Sequence, residues 1–323
     1  MQKQLLVALL SVGGAVLSQN ADVGKIQRTD PALDKLVPPT AKIEKLAGGF
    51  QFTEGPVWVK DAGGHLLFSD IPANAILKWT PDGQVTTFRK PVFPGTFPNG
   101  QFVGSNGLIL DPQGRLVSCE HGNRRVARTE KDGSITVLAD RFEGHRLNSP
   151  NDAVYKKNGD LYFTDPPYGF LKQDDDPAKE LKFNGVYRLT KAGKLELLVK
   201  DMTRPNGLGF SPDEKKLYIA NSDAARKIWM VFDVKADGTL ANGRVFYDVT
   251  KEQADGVPDG MKLDTRGNLY GTGPGGIWVF SPEGKHLGTI QPPETPANCN
   301  WGDADGKSLY MTARTGLYRI KLR

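Results

Sequence analysis

Cysteine is nearly absent from this chain, with only Cys119 and Cys299 among 323 residues, so a disulfide scaffold is excluded. Histidine is also scarce, and His65, His121, His145 and His286 are too scattered to form the Cys/His spacing of a zinc module. No block of Lys and Arg alternates with aromatic residues. The 42 basic and 37 acidic residues leave a net charge of only +5, which excludes nucleic acid as an expected partner. Beyond the first residues no apolar run approaches the length of a membrane span. That first run, LLVALLSVGGAVL after Lys3, reads as a signal peptide over residues 1–18, cleaved after Ser18. The expected destination is export, to a bacterial periplasm, with no membrane contact once the signal is removed. The two cysteines fall in non-adjacent repeat units and are expected as separate buried thiols.

What is abundant is turn chemistry: 37 Gly and 22 Pro punctuate short strand-like runs. Residues 147–169, LNSPNDAVYKKNGDLYFTDPPYG, set the template. DAVY and LYFT flank a Lys-Asn-Gly-Asp turn, as in an antiparallel hairpin, with Asn151 and Asp152 at one end and Asp165 returning beside them. The pattern recurs six times, from EGPVWV (54–59), NGLILD (106–111), NDAVY (151–155), NGLGFS (206–211), DGMKLD (259–264) and NWGDADG (300–306). Each unit holds four short strands, except that the sixth stops after three. A spare strand at 41–48 would complete it beside 316–322 and cover an otherwise open edge. The expected fold is all-β: a six-bladed β-propeller over residues 41–323, its last blade closed by an N-terminal strand, with residues 19–40 as a linker.

In such a ring the inner strands start at one face of the central channel. Their first residues are Glu54, Asn106, Asn151, Asn206, Asp259 and Asn300; the second strands return to that face at Asp70, Glu120–His121, Asp165 and Asn221. Clustered carboxylates repel unless a cation or proton lies between them. Hard oxygen donors suit one divalent cation, Ca²⁺ first, with Mg²⁺, Mn²⁺ or Zn²⁺ as alternatives. The bland reading is a water-filled polar channel whose Asn and Asp merely start strands.

Together EGPVW (54–58), SNGLILDPQGRLVSCEHGNRRV (105–126), RLNSPNDAVYKKNGDLYFTDPPYG (146–169), RPNGLGFSPDEKKLYIANSD (204–223) and PDGMKLDTRGNLY (258–270) resemble the senescence-marker-protein/gluconolactonase/luciferin-regenerating-enzyme-like family, and within it the bacterial gluconolactonases. The resemblance implies a six-bladed propeller with one cation at the channel mouth, held by Glu54, Asn151, Asn206 and Asp259, and hydrolysis of a small-molecule lactone or ester. Asn151 carries either a ligand or a substrate-contacting role. Some members have Arg two residues before that Asn; here Ser149 stands there.

The residue chemistry agrees with such an activity. A carboxylate at the metal edge can take a proton from water, and Asp259 is the first choice, with Glu120 and His121 as further catalytic candidates. Asn106, Asn151, Asp165 and Tyr168 are candidate substrate-binding residues. The segments 89–104 and 169–185 are candidate lids, with Phe93, Phe97, Tyr168 and Phe170 as an apolar rim. The competing classes are a non-catalytic propeller stapled by Ca²⁺ and a related esterase or organophosphate hydrolase.

Overall fold

Alternating apolar residues and short turns, most of them holding Gly beside or near Asp, Asn or Glu, fold locally into hairpins. In the turn at 80–84 the Asp82 carboxylate accepts the Gln84 amide (3.3 Å), and Gly83 takes a left-handed φ of 87°. A computed structural model describes residues 22–61 and 63–323; the expected signal sequence and its cleavage point lie outside them. Among the described residues no helix is long and apolar enough to cross a membrane.

Six antiparallel sheets form the ring. From the axis outward, blade one runs Thr53–Val59, His65–Asp70, Ala75–Trp79, Val85–Arg89, and blade two Ser105–Leu110, Leu116–Glu120, Arg125–Thr129, Ile135–Ala139. Blade three runs Ala153–Tyr155, Leu161–Asp165, Gly185–Leu189, Leu195–Val199; blade four Pro205–Phe210, Lys216–Asp223, Arg226–Val234, Leu240–Asp248. Blade five is built from Met261–Leu263, Leu269–Gly273, Gly276–Phe280 and His286–Gln291. Blade six has Pro296–Gly302, Ser308–Ala313 and Gly316–Lys321, completed by Ile43–Gly48, so the expected closure is present. Its register pairs Ile43 with Ile320 and Gly48 with Gly316. Blades six and one are then stitched by the Thr53 hydroxyl, donating to the Gly316 carbonyl (3.0 Å), and by the Asn300 amide, donating to the Pro56 carbonyl (2.8 Å).

The stretch expected as a linker is part of the fold over its described residues. Lys25–Arg28 adds a fifth strand to blade five, pairing Lys25 with Gln291 and Arg28 with Gly288. A 3₁₀ turn, Pro31–Lys35, follows, with Asp30 accepting the Ala32 amide (2.8 Å) as its cap. Leu33, Leu36 and Val37 are buried against Ile277 and Ile290, and three buried side chains are what a polar linker would lack.

Aromatic faces meet in the core both between and within blades: Trp58 stacks on Tyr310 across the closure (5.4 Å), and Phe163 on Tyr187 within blade three (5.2 Å). Cys119 and Cys299 are buried and free, as expected.

Candidate active site at the channel mouth

The inner strands converge because glycine follows the first residue in four of them. A Cβ on Gly207 would lie 2.4 Å from the Asp259 carbonyl, and one on Gly260 only 2.1 Å from the Asn298 side chain. That close approach brings Glu54, Asn106, Asn151, Asn206 and Asp259, one from each of blades one to five, around a cavity of about 320 Å³ on the axis. Its upper wall is apolar, made by Phe52 set edge-on to Phe102 (5.1 Å), with Ile71 and Val257. His121, Tyr168, Gln173 and Ser222 supply its remaining polar lining.

Blade six departs from expectation. Asn300 lies three residues too far along its strand and is spent on Pro56. The Ala297 carbonyl accepts the Gly260 amide (2.8 Å) as the Asn151 carbonyl accepts that of Gly107 (2.7 Å), so Ala297 holds the first-residue place. Asn298 therefore matches Asp152, and these two side chains form a second layer beneath the mouth. Lys262, from the inner strand of blade five, reaches up to it, its Nζ 4.0 Å from Asp152 Oδ2.

The electrostatics of these layers are unusual for a water-exposed surface. Burial raises the Glu54 carboxyl to about 7, with the Asp152 charge adding to the shift. Burial, and then the charges of Glu54 and Asp152, hold Asp259 well above the usual carboxylate range. Asp152 is also raised by burial, against the lowering effect of Lys262. Several oxygens here are shielded from solvent yet have no hydrogen-bond partner: Asn106 Oδ1, Asn151 Oδ1, Asp152 Oδ2 and Asp259 Oδ1. Among the described residues no three His, Cys, Asp or Glu side chains form a metal-holding group, so any cation here must rely on amide oxygens as well as acids. That donor set, two carboxylates with neutral amide oxygens, fits a hard divalent ion.

Of the expected site residues, Glu54, Asn106, His121, Asn151, Tyr168, Asn206 and Asp259 reach the cavity. Glu120 and Asp165 do not. Glu120 is wholly buried and bound by Arg89 (3.0 Å), Arg125 (2.7 Å), Asn123 (2.7 Å) and Ser118 (3.1 Å). Asp165 accepts the Asn148 amide (2.7 Å), three residues before Asn151. Asp70 takes the Gln51 and Phe52 amides (3.1 Å each), and Asn221 the Arg204 amide (2.9 Å). The exit residues Asp70, Asp165 and Asn221 thus fasten the loops that deliver the mouth residues. Phe93, Phe97 and Phe170 do not line the cavity: Phe93 packs on Phe97 (6.2 Å) and Phe170 under the Arg124 guanidinium (5.0 Å). Phe52, Phe102, Gln173 and Ser222 went unread in the sequence, because nothing local separates a cavity aromatic from a core one.

Fold and mouth together define a six-bladed β-propeller with an acid-and-amide pocket on its axis. Residues 52–315 match the family described as SMP-30/Gluconolactonase/LRE-like region, and the chain belongs to that family. It is 41% identical to a gluconolactonase of Zymomonas mobilis over 312 residues, covering 93% of this chain and 87% of that one. It is 29% identical to rabbit (Oryctolagus cuniculus) regucalcin over 273 residues, covering 82% and 84%. Among solved structures, a gluconolactonase of Xanthomonas campestris superposes with a TM-score of 0.81 at 33% identity, covering 94% of this chain and 96% of that one.

Proposed function

We propose that this protein is a divalent-metal-dependent lactonase that opens the ring of a sugar-acid lactone, acting after export to the periplasm. The observation that carries the reading is the set of shielded, partnerless oxygens at the mouth, on Asn106, Asn151 and Asp259, in a pocket of small-molecule size. The gluconolactonase relatives support the substrate class, and the regucalcin relatives support a cation, Ca²⁺ first.

Glu54, Asn151, Asn206 and Asp259 would hold the ion, which would polarise the lactone carbonyl and acidify a nearby water. Asp259 is suited to accept the water proton in its ionised form, since it lines the cavity and its Oδ1 has no other hydrogen-bond partner. The water oxygen bonds to the carbonyl carbon, the ring carbon–oxygen bond breaks, and the proton ends on the departing alkoxide. The walls of Phe52, Phe102, Ile71 and Val257 limit bulk water around the reacting carbonyl.

The test is hydrolysis of D-glucono-1,5-lactone by protein stripped with chelator and then reloaded with Ca²⁺, Mg²⁺, Mn²⁺ or Zn²⁺. Activity should vanish on stripping and return with a stoichiometric ion, and Asp259→Asn should lower turnover by about two orders of magnitude even at saturating metal. A loaded wild type no faster than the uncatalysed reaction overturns the lactonase reading; full activity in stripped protein overturns the metal.

A further inference from the structure

Blade three differs from its neighbours where its second and third strands meet. The other five blades make this connection by short turns, Asp70 to Ala75, Glu120 to Arg125, Asp223 to Arg226, Gly273 to Gly276 and Ala313 to Gly316. Blade three instead inserts residues 166–184, which carry Gln173 to the lip of the axial cavity.

That placement is constructed. Gln173 has a φ of 47°, a left-handed conformation disfavoured for a residue with a Cβ, at the start of the 3₁₀ turn Gln173–Asp175. The turn is tied down on both sides. Asp174 bonds Arg204 of blade four and accepts the Asn184 amide (3.0 Å), while Asp176 accepts the Lys172 and Ala178 amides (3.2 and 3.0 Å). The Gly169 carbonyl accepts Gln101 Nε2 (2.9 Å), joining this loop to the one between blades one and two. The acidic run at 174–176 therefore includes two loop anchors.

Arg204 also donates from Nη2 to Gln173 Oε1 (3.2 Å). A guanidinium only donates, so the amide oxygen must face Arg204, and both Nε2 hydrogens are left to donate elsewhere. Arg204 stands two residues before Asn206, on the segment that delivers that mouth residue. Ser149 supplies no competing contact: its hydroxyl donates to the Pro166 carbonyl (2.6 Å) and accepts the Gly169 amide (2.9 Å) beneath the loop.

We propose that Gln173 is a specificity-determining residue, donating from Nε2 to the hydroxyl oxygens of a polyhydroxylated lactone, and that Arg204 is the positioning residue that orients it. This rests on the lactonase reading above. Hydroxyls on the substrate are what a neutral amide donor at the lip can select, because the lower cavity handles the carbonyl and the apolar wall cannot reward a hydroxyl.

The experiment compares D-glucono-1,5-lactone with δ-valerolactone, the same ring without hydroxyls, on metal-loaded wild type, Gln173→Ala, Arg204→Ala and Arg204→Lys. Gln173→Ala should raise KM for the gluconolactone about five- to tenfold, the worth of one neutral hydrogen bond, with kcat within about twofold and KM for valerolactone unchanged. Arg204→Ala should shift the same ratio and Arg204→Lys should restore part of it; a generally loosened loop would instead change both substrates alike. Equal changes for both lactones, or none, overturn the proposal. A second arm measures calorimetric binding of D-gluconate to the Ca²⁺-loaded wild type and Gln173→Ala. If the wild type hydrolyses neither lactone, the lactonase reading falls and this arm decides alone. Weaker gluconate binding by the variant sustains the Gln173 contact; equal affinity, or no binding by the wild type, removes it.

Discussion

His121 Nε2 stands 3.4 Å from Asn106 Nδ2, and its Nδ1 stands 3.3 Å from the Phe102 carbonyl. A carbonyl only accepts, so Nδ1 carries the hydrogen and Nε2 accepts from the Asn106 amide. The Asn106 oxygen is thereby turned away from His121 and left without a partner at the cavity. Burial pushes the imidazole down to about 4, so it is neutral near pH 7 and both of its nitrogens are engaged. His121 thus serves to orient Asn106, and it is poorly placed to carry a proton.

His121→Phe should therefore lower kcat/KM by about tenfold, with the pH–rate profile between pH 6 and 8 unchanged in shape. A general acid or base would cost about 10²–10⁴-fold and take one limb of the profile with it. Steady-state rates across that range separate the two roles.

The second layer yields a stability prediction. Lys262 Nζ donates to the Met261 carbonyl (3.0 Å) and lies 4.0 Å from Asp152 Oδ2, beneath two further carboxylates. Lys262→Met removes the nearby cation from Asp152. Loss of one partner of a fully buried pair costs about 3–5 kcal/mol. Here the Lys262 side chain is 20% exposed and the pair is loose, so about 1–3 kcal/mol is expected. If a divalent ion occupies the mouth, saturating Ca²⁺ should recover part of that loss by mass action. Urea unfolding of the variant with chelator and with Ca²⁺ checks both parts.

Much of this was legible in the chain. The blades could be counted because short polar turns, most of them with Gly, sit between runs of alternating hydrophobicity, and the five mouth residues because each opens an inner strand. Asn300 misled because NWG mimics the Asn-Gly starts of blades two and four, whereas register is set by cross-strand pairing, which places Asn298 opposite Thr312. Glu120 and Asp165 misled for another reason. The end of a second strand does return to the active face, but its side chain can turn to the loop beside it, and four donors around Glu120 satisfy it there. The segment 169–185 was legible as a loop at the active face, but Gln173 within it was not, since its place depends on Arg204, thirty-one residues away in sequence.

The pH dependence of stability should show two opposed contributions. Burial raises the Asp165 carboxyl from 3.8 to about 7. Its contribution to stability is full below pH 4 and is lost as pH rises through 7. His121 is lowered from 6.5 to about 4, so its contribution is present above pH 6.5 and lost as pH falls through 4. At roughly 1.4 kcal/mol per pH unit these are about 4 kcal/mol for Asp165 and about 3 kcal/mol for His121, and their slopes oppose where the windows overlap, so the wild type should look nearly flat between pH 4.5 and 6.5. Asp165→Asn should expose a stability that rises with pH there, and His121→Phe one that falls. Denaturant midpoints across this range, compared between each variant and the wild type so that the mouth acids common to both cancel, read the slopes. A flat profile in both variants would show that neither group titrates as its burial implies.

The N-terminal strands should differ sharply in what they contribute. Ile43–Gly48 is the fourth strand of blade six, and without it the row of amides on Gly316–Lys321 faces water beside the ring closure. Lys25–Arg28 is a fifth strand on a blade that already has four, although Leu33 and Val37 behind it are fully buried. Truncation to residue 30 should therefore lower Tm by only a few degrees, since it removes one edge strand and leaves that cluster. Truncation to residue 40 also uncovers the faces of Ile277 and Ile290 and should cost more, at roughly 1.5–3 kcal/mol for each large side chain deleted. Truncation to residue 48 opens the ring and should leave a protein that aggregates or melts well below the others. Thermal melts of the three truncations give the order, and a 49–323 protein as stable as the 31–323 protein would refute closure by the N-terminal strand.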